Sequence, residues 1–168
     1  MKKKMIMFLV VAMFGFEGLS SAAELTVGTK ELSVYGSINN ISADGGPDAD
    51  FTMIQASYGQ FITPEMEVGG NLILFDADGS KSITLAGEGK FHFIKFPDEL
   101  ILPYAGAHVG IYRGESDTGF SFGVMGGAKY FIKEETTLNA ELRISQLSYG
   151  DVDALATILS VGYSVYFK

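Results

Sequence analysis

The stretch that decides the fold is ILSVGYSVYFK, Ile158–Lys168. On alternate positions Leu159, Val161, Tyr163, Val165 and Phe167 share one side, and Ser160, Gly162 and Ser164 share the other. A period of two is the signature of a strand with one apolar face. In a water-soluble domain such a strand turns its large side chains to a core and covers its other face with polar and charged groups. Here the other face is uncharged and carries almost nothing large. The strand either fills a core or presents its large side chains to an apolar solvent.

Working back along the chain, the same pattern recurs. Eight alternating segments of about ten residues are separated by turn signals. They are Leu32–Ile41, Phe51–Ile62, Glu65–Phe75, Ser82–Phe96, Leu102–Tyr112, Gly119–Ile132, Thr137–Tyr149 and Ala154–Phe167. Each is near the roughly 9–11 residues that a tilted strand needs to cross a bilayer. The connections alternate. TPE, PDE and KEE follow the second, fourth and sixth segments; SADGGPDAD, DADGSK, RGESDT and GDVD follow the first, third, fifth and seventh. An even number of strands, with tight turns on the side of both termini and looser loops on the other, predicts an all-β, eight-stranded antiparallel up-and-down barrel.

The faces sort cleanly. In the seventh segment Leu138, Ala140, Leu142 and Ile144 oppose Asn139, Glu141, Arg143 and Ser145. In the fourth, Ile83, Leu85, Phe91 and Phe93 oppose Thr84, Glu88, Lys90 and His92. In the third, Met66, Val68, Leu72 and Leu74 oppose Glu67 and Asn71; in the sixth, Phe120, Phe122, Val124, Tyr130 and Ile132 oppose Ser121, Gly123 and Lys129. Two closed barrels fit this alternation. A soluble, lipocalin-like barrel keeps the apolar face inside around an apolar ligand, whereas a transmembrane barrel turns it outward. A soluble exterior is normally about a quarter to a third charged. The polar faces of these segments carry few charges, of mixed sign: Glu67, Glu88, Lys90, Lys129, Glu141 and Arg143. Such a set suits a narrow lumen in which opposite charges pair, because an unpaired buried charge costs several kcal/mol. Ser57, Gly59, Gly123, Gly127, Ser160, Gly162 and Ser164 leave space for those long side chains. The expectation is a transmembrane barrel, with Tyr58, Phe93, Tyr104, Tyr130, Tyr149, Tyr163 and Phe167 in aromatic girdles near the strand ends.

The first residues agree with export. Lys2, Lys3 and Lys4 precede an apolar run from Met5 to Phe16, and Ser21 and Ala23 form a small-residue cleavage site. This is the layout of a secretory signal peptide over residues 1–23, leaving a single barrel domain over 24–168. The apolar run falls short of the roughly 20 residues of a spanning helix. Removing residues 1–23 takes three lysines and Glu17 from the 12 basic and 20 acidic residues, leaving 9 and 19. So acidic a chain is a poor partner for nucleic acid. With no cysteine, neither a disulfide nor a lipidated cysteine contributes.

The signal layout, the eight amphipathic segments and the closing VGYSVYF together resemble the small eight-stranded outer-membrane barrels of the OmpA transmembrane-domain, OmpX and opacity-protein kind. PYAGAHVGIY (Pro103–Tyr112) and GVMGGAKYFI (Gly123–Ile132) resemble the glycine-rich strands of proteins called porin family. The resemblance spans Lys30–Phe167. It implies an outer-membrane protein in contact with membrane lipid and lipopolysaccharide. It also implies that Val161, Tyr163, Val165 and Phe167 are the signal read by the barrel-assembly machinery, although Lys168 follows the aromatic residue. A structural or surface role is expected, in envelope integrity, adhesion or host contact, with a surface ligand or host protein as the outer partner.

No catalytic, cofactor or metal motif stands out. His92 and His108 fall on the polar faces, where Ser121 or Ser145 is the nearest candidate nucleophile, and a hydrogen-bonded lumen histidine is the simpler reading. DADGS (Asp76–Ser80) opens like a calcium loop, but position twelve is Gly87 where the motif needs Glu. The acids of the looser loops (Asp44, Asp48, Asp50, Asp76, Asp78, Glu115, Asp117, Asp151 and Asp153) read as solvated turns, with weak divalent-cation bridging to lipopolysaccharide as the alternative. Eight strands enclose an interior just wide enough for side chains to fill, so no wide diffusion channel is expected.

Overall fold

The computed structural model describes residues 25–41, 49–77, 80–94, 100–114, 118–149 and 152–168. The expected signal segment, the PDE turn and the acids Asp44, Asp48, Asp78, Glu115, Asp117 and Asp151 lie outside the described residues. Eight strands follow one another: β1 Lys30–Ile41, β2 Ala49–Phe61, β3 Met66–Ala77, β4 Ser80–His92, β5 Ile101–Arg113, β6 Thr118–Lys133, β7 Thr136–Tyr149 and β8 Val152–Phe167. Each pairs antiparallel with the next, and β8 returns to β1 to close the barrel. The closing register runs from Lys30 opposite Phe167 to Gly36 opposite Val161. Closure removes the unpaired edges that an open sheet exposes.

The expected division into tight and looser connections does not hold: residues 93–100 separate β4 from β5 on the side of the termini, whereas two residues separate β3 from β4 and β7 from β8 at the other end. Where a turn on the side of the termini is tight, its sequence supplies a local acceptor. Between β2 and β3, Met66 N–H donates to Thr63 Oγ1 at 3.0 Å while Ile62 N–H donates to the Met66 carbonyl at 2.8 Å. Glu134 and Glu135 connect β6 to β7, with a register shift between Phe131 and Lys133. The fourth strand stops at His92, short of the expected Phe96, because Ile94 N–H turns back onto the His92 carbonyl at 3.1 Å.

The alternation turns outward as a transmembrane barrel requires. Val34, Ile54, Leu72, Leu85, Val109, Phe122, Leu142 and Val161, one on each strand, are exposed. Among the described residues, every exposed charged side chain lies at a strand end or beyond it: Asp76, Lys81, Arg113, Lys133, Glu134, Glu135 and Lys168. Between those ends the charged residues are all buried. The lipocalin-like alternative needs the reverse arrangement. An outward charge at mid-membrane costs roughly 2–4 kcal/mol, so a bare apolar belt with its charges inside matches hydrocarbon as the surrounding solvent.

One aromatic differs from expectation. Tyr104 is buried in the lumen instead of sitting in an outer girdle. On β5 it shares a face with Leu102 and His108, while Ala105, Ala107, Val109 and Ile111 face out. Tyr58, Phe93, Tyr163 and Phe167 are exposed, and Tyr130 is half-buried.

Candidate functional site

The lumen is layered. At the end that carries the termini, Phe61, Leu102, Phe131 and Tyr166 form a buried apolar cluster with Leu25 packed against it. Tyr166 stacks on Phe131 with ring centroids 5.7 Å apart. The segment before β1 is held there by Gly28, whose φ of 91° suits glycine and whose N–H donates to the Phe61 carbonyl at 2.8 Å. Toward the loop end, Met53, Ile73 and Ile158 form a second buried cluster with Phe75 and Ala156.

Between the two apolar layers lies a continuous network of charges. Lys129 on β6 pairs with Glu31 on β1 and reaches Glu67 on β3 at 3.5 Å. Glu67 meets His92 Nε2 at 2.9 Å and Lys90 Nζ at 3.4 Å. Lys90 continues to Glu88 at 2.8 Å. Arg143 on β7 contacts Glu88 on β4 at 3.3 Å and Glu141 at 3.1 Å. Pairs β3–β6 and β4–β7 are not neighbours in the sheet, so these bridges cross the lumen. Hydrogen bonds fill much of the remaining capacity. Ser33 and Ser164 donate to Glu31 at 2.6 and 2.7 Å, Tyr104 OH donates to Glu141 at 2.7 Å, and Asn71 donates to Glu88. The Lys129 ammonium also lies over the rings of Tyr104 and Tyr166, at 5.2 and 5.6 Å from their centroids. Buried charges held in this way have the partners that offset their desolvation.

Glu67, Glu88, Lys90, Lys129, Glu141 and Arg143 therefore stand in one connected set. Sequence reasoning missed Glu31, because it began the first strand at Leu32. Carrying the alternation of Leu32 and Val34 one residue further back places Glu31 on the inner face with Ser33 and Tyr35. Tyr104 was legible in the same way, four residues from the inward His108.

The inner glycines are matched to individual side chains. Tyr35 faces Gly162 across β1 and β8, and Tyr104 faces Gly127 across β5 and β6. A Cβ on Gly162 would stand 2.4 Å from the Tyr35 ring, and one on Gly127 would stand 2.8 Å from the Tyr104 hydroxyl. The same Cβ atoms would stand 2.6 Å from the Val34 carbonyl and 2.3 Å from the Ala140 carbonyl, so each glycine is required by the close approach of a neighbouring strand as well as by its tyrosine.

Two histidines remain. His92 joins Glu67, as above. Ser145 Oγ lies 3.2 Å from His108 Nε2, so one of the two serines near these histidines does meet one. His108 Nδ1 has no hydrogen-bond partner among the described residues, so no carboxylate orients the ring for general-base work. Val161, Tyr163, Val165 and Phe167 are exposed along the outer face of β8, and the Lys30 ammonium sits 5.9 Å from the Phe167 ring centroid.

Comparison of the fold with solved structures finds close matches in shape. Neisserial surface protein A superposes with a TM-score of 0.69 at 17% identity, over 83% of this chain and 97% of that one. The fold is that of the small eight-stranded outer-membrane barrels. The N-terminal β-barrel domain of Pseudomonas aeruginosa OprF gives 0.59 at 16% identity, over 84% of this chain and 98% of that one. A de novo designed transmembrane β-barrel gives 0.56 at 14% identity, over 86% and 99%. No protein-family model matches the chain, and no curated protein matches it in sequence. Likeness at such low identity follows the pattern of faces and turns and not shared side chains. The designed barrel makes the same point, since it has no natural ancestor.

Proposed function

We propose that this chain is an integral outer-membrane β-barrel with a structural or surface-interaction role, exported by residues 1–23 and not an enzyme. The observation that carries this reading is the partition of charge: seven buried ionic side chains inside the midsection and an uncharged apolar belt outside it. A barrel of this kind is stable only when hydrocarbon surrounds it. The outward row Val161, Tyr163, Val165 and Phe167 on the closing strand supports assembly by the barrel-assembly machinery. The fold of neisserial surface protein A supports a place at the cell surface, in contact with membrane lipid and lipopolysaccharide. Envelope integrity, adhesion or host contact are the roles that fit. The interior favours a brace over a pore, because apolar clusters lie on both sides of the charge network and Lys129 and His92 are fully buried.

Fractionation tests the location. The protein is expected in the detergent-extracted outer membrane and to change mobility on a gel when boiled. Recovery in the soluble periplasm sinks the reading. In planar bilayers the purified barrel is expected to show no porin-sized conductance steps, and large steady steps overturn the brace. For the surface role, removing the loops of the outer end is expected to abolish binding to cells or matrix while the barrel still assembles.

A further inference from the structure

Of the basic residues beyond position 23, Lys90, Lys129 and Arg143 are in the lumen, and Lys30, Lys133 and Lys168 stand at the end of the termini. Lys95, in the connection between β4 and β5, lies outside the described residues. The remaining two, Lys81 and Arg113, stand together at the loop end. Arg113 is opposite Ile83 in the β4–β5 register, and Lys81 is two residues further along β4. Both share the outward face with Ile83 and both are exposed. Such a diagonal pair has Cβ atoms about 7–8 Å apart, within reach of two long side chains converging on one anion. Among the described residues neither cation has an ion-pair partner. The carboxylate nearest in register is Asp76, opposite Lys81 on β3.

The position is as informative as the charge. The next outward residue toward the membrane is Ile83 from Lys81 and Ile111 from Arg113, with Leu74 opposite Ile83 on β3; all three are exposed members of the apolar belt. A lipid whose chains lie along these three residues brings its headgroup to the next pair of outward positions, which Lys81 and Arg113 occupy. The surrounding loops are acidic in sequence, so a cation placed only for general attraction to an anionic surface has no reason to be confined to two adjacent strands.

We propose that Lys81 and Arg113 form a binding site for the phosphomonoester of a lipid headgroup in the leaflet at the loop end, the class to which phosphorylated outer-leaflet glycolipids belong. Arginine supplies the planar fork that grips two phosphate oxygens, and lysine supplies the point charge beside it. The proposal rests on the membrane reading above.

The test places a tryptophan reporter at Phe120, an exposed residue opposite Ile111 in the β5–β6 register, in a chain that has no other tryptophan. The Phe120→Trp barrel is inserted into phosphatidylcholine vesicles containing brominated phosphatidate, brominated phosphatidylserine or brominated phosphatidylcholine. Quenching reports which lipid occupies the site. Phosphatidate is expected to be preferred over the other two. Removing each cation (Lys81→Gln, Arg113→Gln) is expected to weaken that preference about fivefold, while Asp76→Asn strengthens it. Inorganic phosphate added to the outside is expected not to displace the lipid. Equal quenching by the three lipids, or a preference that survives both substitutions, overturns the proposal. Failure of the reporter barrel to insert at all counts against the membrane reading instead. Heat-modified gel mobility of each variant shows that it has folded.

Discussion

Replacing Lys129 with methionine is the sharpest test of the lumen. The side chain is fully buried, pairs with Glu31 and lies 3.5 Å from Glu67. Methionine keeps much of its length and removes its charge. Stripping one partner from a buried ion pair costs about 3–5 kcal/mol. The low end applies here, because neither carboxylate is left bare. Glu31 keeps hydroxyl donors from Ser33 and Ser164 at 2.6 and 2.7 Å, and Glu67 keeps His92 at 2.9 Å and Lys90 at 3.4 Å. The expected loss is about 3 kcal/mol, more than a hundredfold in the unfolding equilibrium. Adding Glu31→Gln removes the orphaned negative charge, and the amide still accepts from the two serines. The double variant should therefore be more stable than Lys129→Met alone, with a coupling of about 1–3 kcal/mol. Urea titration of the barrel in phospholipid vesicles, read by gel mobility of folded and unfolded forms, measures Lys129→Met, Glu31→Gln alone and the double variant. A single-variant loss below about 1 kcal/mol, or strict additivity in the cycle, would falsify the idea that this pair ties β1 to β6 across the lumen.

Three further outcomes follow from the geometry. Leu142→Arg, at the middle of the outer face of β7, should cost roughly 2–4 kcal/mol in vesicles, whereas Leu155→Arg near the loop end of β8 should cost about 0–1; equal costs would remove the depth dependence that a membrane imposes. Gly162→Ala should destabilise by about 1–3 kcal/mol because the new methyl overlaps both the Tyr35 ring and the Val34 carbonyl, and Tyr35→Ala in the same chain should leave part of that loss in the same titration, since the backbone contact stays. His108→Ala and Ser145→Ala should leave the lipid composition of the envelope unchanged by mass spectrometry; loss of a lipid modification in either variant would establish a chemistry that the pair's geometry does not support.

Local sequence carried the strands and the sorting of faces, because side chains alternate strictly along an extended chain. Leu142 beside Arg143 needs no tertiary information to be placed on opposite sides. The boundaries were softer: Glu31 fell one residue outside the expected strand, and the fourth segment ran past His92, where a backbone turn rather than the hydrophobic pattern ends the strand. Tyr104 was misplaced because the small residues Ala105, Gly106 and Ala107 follow it, so the alternation gives little contrast between the two faces at that end of β5.

Which charges meet was decided by the closed sheet alone. Lys129 and Glu31 are 98 residues apart, and Arg143 and Glu88 are 55 apart, on strands that do not adjoin. Their contact depends on strand number, tilt and stagger, which are properties of the whole closed circle of hydrogen bonds and leave no trace in any ten-residue window. The same holds for Tyr35 over Gly162, a pair created only when β8 comes round to β1. The sequence determined which side of each strand is apolar; closure determined that the polar sides face one another at a distance short enough for opposite charges to bond.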